Sequence, residues 1–293
     1  MTTFAEQAKT FLTEGSTRAK RPFRPNTIKS YKSHIETINP LIGDKPLEDV
    51  TNKLLKAVCE ELQGQEYSAK TINDILVVIK QIVKSAVDSE GNFLYPREWN
   101  SKFIDAPSIE NQKQPTVTAE TLQEAIRRAI PQDKALYALL AGTGLRINEA
   151  LGIVVFDDGK SNFITEGVIH IRSQRGGDAP KTKSGVRQVD LAPELQNFIR
   201  ENARPEGNLL FPESESTYRE RLEKNGILGG FHTLRRFRIS HLQSVSVPGM
   251  LIKFWNGHAA GDITERYTKV GSEIQARKEQ AAKAGLGFKL ETI

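Results

Sequence analysis

The chain is almost without cysteine: Cys59 is its single one in 293 residues. No internal disulfide can form, and no cysteine-rich zinc set is available. Cys59 falls in the stripe Leu54, Leu55, Val58, Cys59, Leu62, whose helical spacing assigns it to packing. No apolar run is long enough to cross a bilayer. The opening stretch from Met1 to Glu14 carries acids and no apolar signal core, which argues against secretion and for a cytoplasmic location. Internal repeats and low-complexity tracts are absent. No carboxylate cluster or Cys/His set reads as a metal site.

What is present is the balance of a soluble globular chain with real cores, 38% hydrophobic and 26% charged. The length fits about two domains. A net charge of +5 permits a polyanionic partner without requiring one. The position of the charge says more. Between Gly15 and Ile35 stand Arg18, Lys20, Arg21, Arg24, Lys29 and Lys32, with no acid among them. Such a run can track phosphates; it also fits a solvated face or a loose arm.

Residues 1–106 read as a small helical bundle. Helices are expected at Phe4 to Thr13, Asn26 to Thr37, Asn52 to Leu62 and Ala69 to Val87, the last carrying Ile72, Ile75, Leu76, Ile79, Ile82 and Val83 at helical spacing. Residues 107–118 are polar and proline-containing and read as a linker. Residues 119–293 read as a mixed α+β domain with a small antiparallel sheet. Its helices are expected before the Gly142-Thr143-Gly144 turn, after it, and from Pro193 onward. Its strands are expected at Ile153 to Phe156, Val168 to Ser173 and Val186 to Leu191.

Four separated segments of this second domain carry chemistry. In Ala141 to Leu151 a glycine turn places Arg146 at the head of a helix, where backbone N–H groups and a guanidinium can hold an anion together. A salt bridge from Arg146 to Glu149 is the plain structural alternative. In Lys181 to Leu191 two lysines, Lys181 and Lys183, precede a Ser184-Gly185 turn into an alternating strand, and a hairpin lysine can reach into a cleft. In Phe231 to His241 a helix sets His232 and Arg235 one turn apart on one face. In Trp255 to Lys269, His258 follows a glycine turn and a short helix from Asp262 presents Tyr267, which could equally be a packing residue.

Taken together and in this order, the segments resemble the tyrosine recombinase (phage integrase) family, most strongly across residues 119–270. The family signature is an arginine after a glycine-rich turn, a hairpin lysine, His-x-x-Arg, and a Gly-His turn followed by tyrosine. Arg146, Lys183, His232, Arg235, His258 and Tyr267 match it, with Lys181 a competitor for the lysine. Asn256 departs from it, because members usually carry leucine before this glycine; the change bears on packing under the His258 turn.

The resemblance implies a DNA breaking-rejoining fold, with residues 1–106 as a core-binding domain and residues 119–293 as the catalytic domain. It implies Tyr267 as nucleophile, Arg146 and Arg235 as phosphate clamps, His258 as a further donor, Lys183 as general acid and His232 as acid/base or positioning group. Arg18, Lys20, Arg21, Arg24, Lys29 and Lys32 become candidate DNA contacts. No metal and no cofactor are implied. The implied partners are double-stranded recombination sites and further copies of the chain, as a homotetramer on paired sites. So few residues precede Arg18 that the simple type, without an arm-binding domain, is expected. The tail from Gly271 to Ile293 is expected to carry a helix at Ser272 to Ala284 and to dock on a neighbouring protomer. Two other readings share these features: a type IB topoisomerase-like enzyme and a catalytically silent DNA-binding regulator.

Overall fold

Apolar residues at helical spacing build the first part of the chain. In the computed structural model, which describes residues 2–109, 115–175, 183–258 and 273–290, the chain divides into two units, 1–112 and 113–293. The first contains α1 (Phe4–Thr17), α2 (Pro25–Ile42), α3 (Asn52–Gly64), α4 (Ala69–Ser85) and the short α5 (Ser101–Ile104). Their starts follow from capping chemistry. Thr3 and Glu6 cap α1 reciprocally, and Thr51 and Ser68 accept from the first turns of α3 and α4. Ile72, Ile75, Ile79 and Ile82 of α4 are fully buried with Leu55, Leu62, Ile38 and Phe4. Cys59 lies in this core, as its stripe required. α2 runs past the expected end to Ile42 because Ile38 and Ile42 are both buried.

The basic stretch lies between and along α1 and α2. Phe23 anchors it by packing on Phe11 and Tyr31, with ring centroids 5.2 and 5.1 Å away. Arg18, Lys20, Arg21, Arg24, Lys29 and Lys32 are all exposed.

The second unit is built around α7 (Pro131–Thr143), which is buried on every side from Ala135 to Thr143. A helix apolar all round belongs in the middle of a core. Around it lie α6 (Ala119–Arg128), α9 (Pro193–Asn202), α10 (Glu215–Lys224) and α11 (His232–Ser244). The one-turn α8 (Ile147–Ala150) follows α7, and α12 (Gly249–Asn256) follows α11. The small sheet is present in the order β1 (Ile153–Val154), β2 (Asn162–Thr165), β3 (Val168–Ile171), β4 (Arg187–Asp190). β2, β3 and β4 pair antiparallel, whereas the two-residue β1 joins β2 in parallel, so the sheet is mixed. β2 is not foreseen in the sequence; its four residues follow an Asp-Gly-rich turn and offer too short a pattern to read. Buried Asn162 opens it, donating to the carbonyls of Glu149 and Ser173 and accepting from the amides of Arg172 and Ser173.

The tail helix is α13 (Ile274–Ala284). It packs on the second unit of its own chain. Ala281, Ala284, Leu286 and Phe288 join the core. Buried Arg277 bonds Asp190 and Gln188, and Arg238 and His241 of α11 bond the carbonyls of Gly285 and Ala284. The Arg238 guanidinium meets carbonyls left exposed at this helix C-terminus, where a cation is favourable. Among the described residues no helix is long and apolar enough to cross a membrane.

Candidate active site

The turn after α7 creates the first wall of the site. Gly144 ends that helix in the left-handed conformation, φ +73°, and a Cβ there would lie 2.9 Å from Asn256 Oδ1. Gly257 ends α12 in the same way, φ +62°, and a Cβ there would lie 2.9 Å from Arg187 Nη1. Both positions therefore require glycine. The two turns bring Arg146 and His258 to one place.

Arg146 forms the salt bridge that the sequence offered as its plain role: Nη1 donates to Glu149 Oε1 at 2.9 Å. It is not consumed by it, since its side chain remains 40% exposed while Glu149 is buried. Glu149 is shared. Its two oxygens also accept from Arg187 Nη1 and Nη2 at 3.0 and 2.9 Å, and Oε2 accepts from the backbone N–H of Arg146. Burial pushes the Glu149 carboxyl up, but the Arg187 bonds and charge, then those of Arg146, bring it below the ordinary carboxylate range. Glu149 is thus a buried anion between two cations.

Arg187 is a member of this cluster that the sequence reading missed. It opens β4, and strand alternation places it inward with Val189. Its remaining donors reach Trp255 O at 2.7 Å and Gly185 O at 3.0 Å. It ties the hairpin, α8 and the end of α12 together. Removing one partner of so buried an ion pair costs about 3–5 kcal/mol.

Arg235, in the first turns of α11, is buried as deeply but differently. Nη1 donates to Gly144 O at 2.5 Å, Nη2 donates to Asn256 O at 2.6 Å, and Nη2 lies 3.1 Å from His258 Nε2. Among the described residues no carboxylate pairs with it. Burial, and next the like charge of Arg146, lower its pKa to about 10. A guanidinium only donates, so Nε2 of His258 accepts and the ring carries its proton on Nδ1. His258 is held below the ordinary histidine range by burial and by the charges of Arg235, Arg146, Arg187 and Lys253. His232, first residue of α11 and exposed, is shifted the same way by partial burial and then by Arg235, Arg236 and Arg146.

The structure therefore brings Arg146, Arg235 and His258 together from three separate segments, with His232 within reach of their charges. The backbone of Lys183 begins a 3-10 turn, Lys183–Gly185, that leads into β4. Lys181, Tyr267 and the short helix expected from Asp262 lie outside the described residues.

Asn256 explains its own oddity. Its side chain is fully buried, Nδ2 donates to Ile252 O at 2.8 Å, and Oδ1 has no partner among the described residues. An orphaned buried acceptor costs about 1–3 kcal/mol, more than one ordinary hydrogen bond returns. Asn256→Leu is expected to raise Tm by about 2–4 °C, read by calorimetry; a lower Tm would show that the space against Gly144 admits no larger side chain.

Among known proteins, no family model matches the chain. It is 26% identical over 227 residues to the tyrosine recombinase XerA of Pyrococcus furiosus, covering 72% of this chain and 73% of that protein. It is 22% identical over 281 residues to the tyrosine recombinase XerC of Alcanivorax borkumensis, covering 90% of this chain and 89% of that protein. Its fold is similar to that of the Tn1549 transposon integrase solved with transposon right-end DNA, with a TM-score of 0.68, 19% identity, and 97% and 100% of the two chains covered.

Proposed function

We propose, from its similarity to tyrosine recombinases, that this chain cuts and rejoins double-stranded DNA at specific sites, with Tyr267 as nucleophile. One observation carries the reading furthest: Arg235 is a buried cation with no carboxylate partner among the described residues, set beside a second cation, Arg146. Like charges are held together at such cost where an anion is to be bound, and perturbed groups of this kind mark functional sites. Arg187 shows the contrast, because Glu149 neutralises it.

The inventory suits phosphodiester exchange. The phenolic oxygen of Tyr267 attacks phosphorus, the bond to the 5′ oxygen breaks, and a 3′-phosphotyrosyl link forms. The forked donors of Arg146 and Arg235 hold the non-bridging oxygens as negative charge develops on them. His258 adds a donor through Nδ1–H or by giving up Arg235. His232 takes the tyrosine proton, and Lys183 supplies one to the departing 5′ oxygen. A 5′ hydroxyl from a partner duplex then reverses the reaction and releases the tyrosine. Two duplexes have between them four strands to exchange, so one tyrosine per strand calls for a homotetramer on paired sites. The exposed basic residues from Arg18 to Lys32 supply phosphate contacts, which position the duplex without reading its sequence.

Covalent trapping tests this. Nicked duplexes drawn from the DNA flanking its gene, labelled on the strand 5′ of the cut, are expected to give a denaturant-resistant adduct that retains the label. Tight binding to these duplexes with no adduct on any of them would overturn the enzymatic reading.

A further inference from the structure

We propose that the end of the interdomain linker is a working part of the active site: Pro115, held by Arg236 against the turn before α11, positions His232. The inference rests on the recombinase reading of that site.

The argument begins with what α11 lacks. The first four N–H groups of a helix have no partner within it, and α11 starts at Phe231 without a capping side chain. Its first amides find only short-range bonds. Thr233 N donates to Gly230 O and Leu234 N to Phe231 O, both at 3.1 Å, and the Arg235 N bond to Phe231 O is stretched to 3.5 Å. A helix start held so lightly would fray, yet it carries His232 at its first position and Arg235 three residues on.

A second set of contacts makes up for this. Arg236 donates through Nε at 3.1 Å and Nη2 at 2.8 Å to the one carbonyl of Pro115. The same Nη2 lies 3.1 Å from Thr233 Oγ1, which donates to Leu228 O at 3.4 Å. The chain Pro115, Arg236, Thr233, Leu228 thus closes over the helix start from the linker to the preceding turn. That turn is shaped to receive the proline. Gly229 has φ +84°, and a Cβ there would sit 2.3 Å from Pro115 Cγ and 3.0 Å from Thr233 Oγ1. The next linker residues continue the docking, since Val117 packs on the catalytic core and Thr118 caps α6.

The pin also governs charge. Arg236 is among the cations that lower the pKa of His232, and its bonds to the Pro115 carbonyl fix where that charge sits. Released, it is a mobile cation beside the group that takes the tyrosine proton. Arg236 is therefore a positioning residue. It acts through His232, and the linker acts through Arg236.

The experiment uses the full-length chain in Arg236→Gln, Arg236→Lys, Pro115→Ala and the double Arg236→Gln/Pro115→Ala forms. Single-turnover adduct formation on the nicked duplex is measured beside DNA affinity and Tm. Each of Arg236→Gln and Pro115→Ala is expected to slow adduct formation by about tenfold, a misplacement effect, with DNA affinity and Tm unchanged. The double variant is expected to be no slower than the slower single one, because Arg236→Gln removes the donors and Pro115→Ala removes the ring that seats the accepting carbonyl against Gly229, two parts of one pin. Arg236→Lys, which keeps one donor, is expected to recover part of the rate. Multiplying effects in the double variant, rates equal to wild type, or losses that follow affinity or Tm would each overturn the proposal. Amide exchange at Thr233 and Leu234 separates its failure from that of the recombinase reading. If wild type itself forms no adduct, exchange faster by about tenfold in Arg236→Gln still supports the pin, and unchanged exchange overturns it.

Discussion

Tyr267→Phe is expected to bind its DNA with wild-type affinity and to form no covalent adduct. The substitution removes one oxygen and keeps the ring, so packing and phosphate contacts persist while the nucleophile is lost. On the proposed reading, affinity for DNA is spread over many cation–phosphate contacts, for which the six exposed basic residues of the first unit are the candidates, and a phenol contributes little to that sum. Covalent chemistry rests on the phenol alone. Removing a nucleophile from a site whose other groups are intact lowers the rate by at least about 10⁴-fold, which in a trapping assay reads as no adduct. Wild type and variant are compared on the same nicked duplexes, with binding followed in parallel. An adduct that survives in Tyr267→Phe would place the nucleophile elsewhere. A wild type that binds tightly and never forms one would be a DNA-binding regulator.

Arg235→Lys is expected to reduce the cleavage rate by about 10²–10³-fold, the cost of one lost transition-state donor in a preorganised site, while DNA affinity falls far less. The guanidinium reaches Gly144 O, Asn256 O and His258 Nε2 from two nitrogens. A lysine keeps the charge but concentrates it at one atom, so it cannot span both carbonyls and still face a phosphate. The turn bearing Arg146 and the turn bearing His258 would lose their common tie. Single-turnover rates at saturating protein, with Tm measured on the same samples, separate chemistry from folding. A variant that is folded and cleaves at the wild-type rate would show that this buried arginine does not serve the transition state, and the reading of this cluster as an anion site would fall with it.

Local chemistry in the sequence was enough for much of the architecture. The stripe from Ile72 to Val83 specifies α4 because a 3.6-residue period admits one buried face. Pro193 and Gly144 mark a helix start and a helix end because proline lacks an N–H and glycine accepts positive φ. The types and order of Arg146, His232, Arg235 and His258 were legible for the same reason, since each sits at a recognisable turn or helix start. β2 was not, being too short to show a period. Nor was the division of labour among arginines. Arg187 and Arg235 look alike in the sequence, but Glu149, which neutralises the first, is 38 residues away, and Gly144, which holds the second, is 91 residues away. The docking of α13 on its own domain and of Pro115 on Gly229 is equally remote from any local pattern. Periodicity and capping act over a few residues, and the sequence by itself determined what they govern. Burial and charge compensation act between residues that meet only after folding, so the tertiary structure alone decided which arginine is neutralised by a carboxylate and which is held by backbone carbonyls.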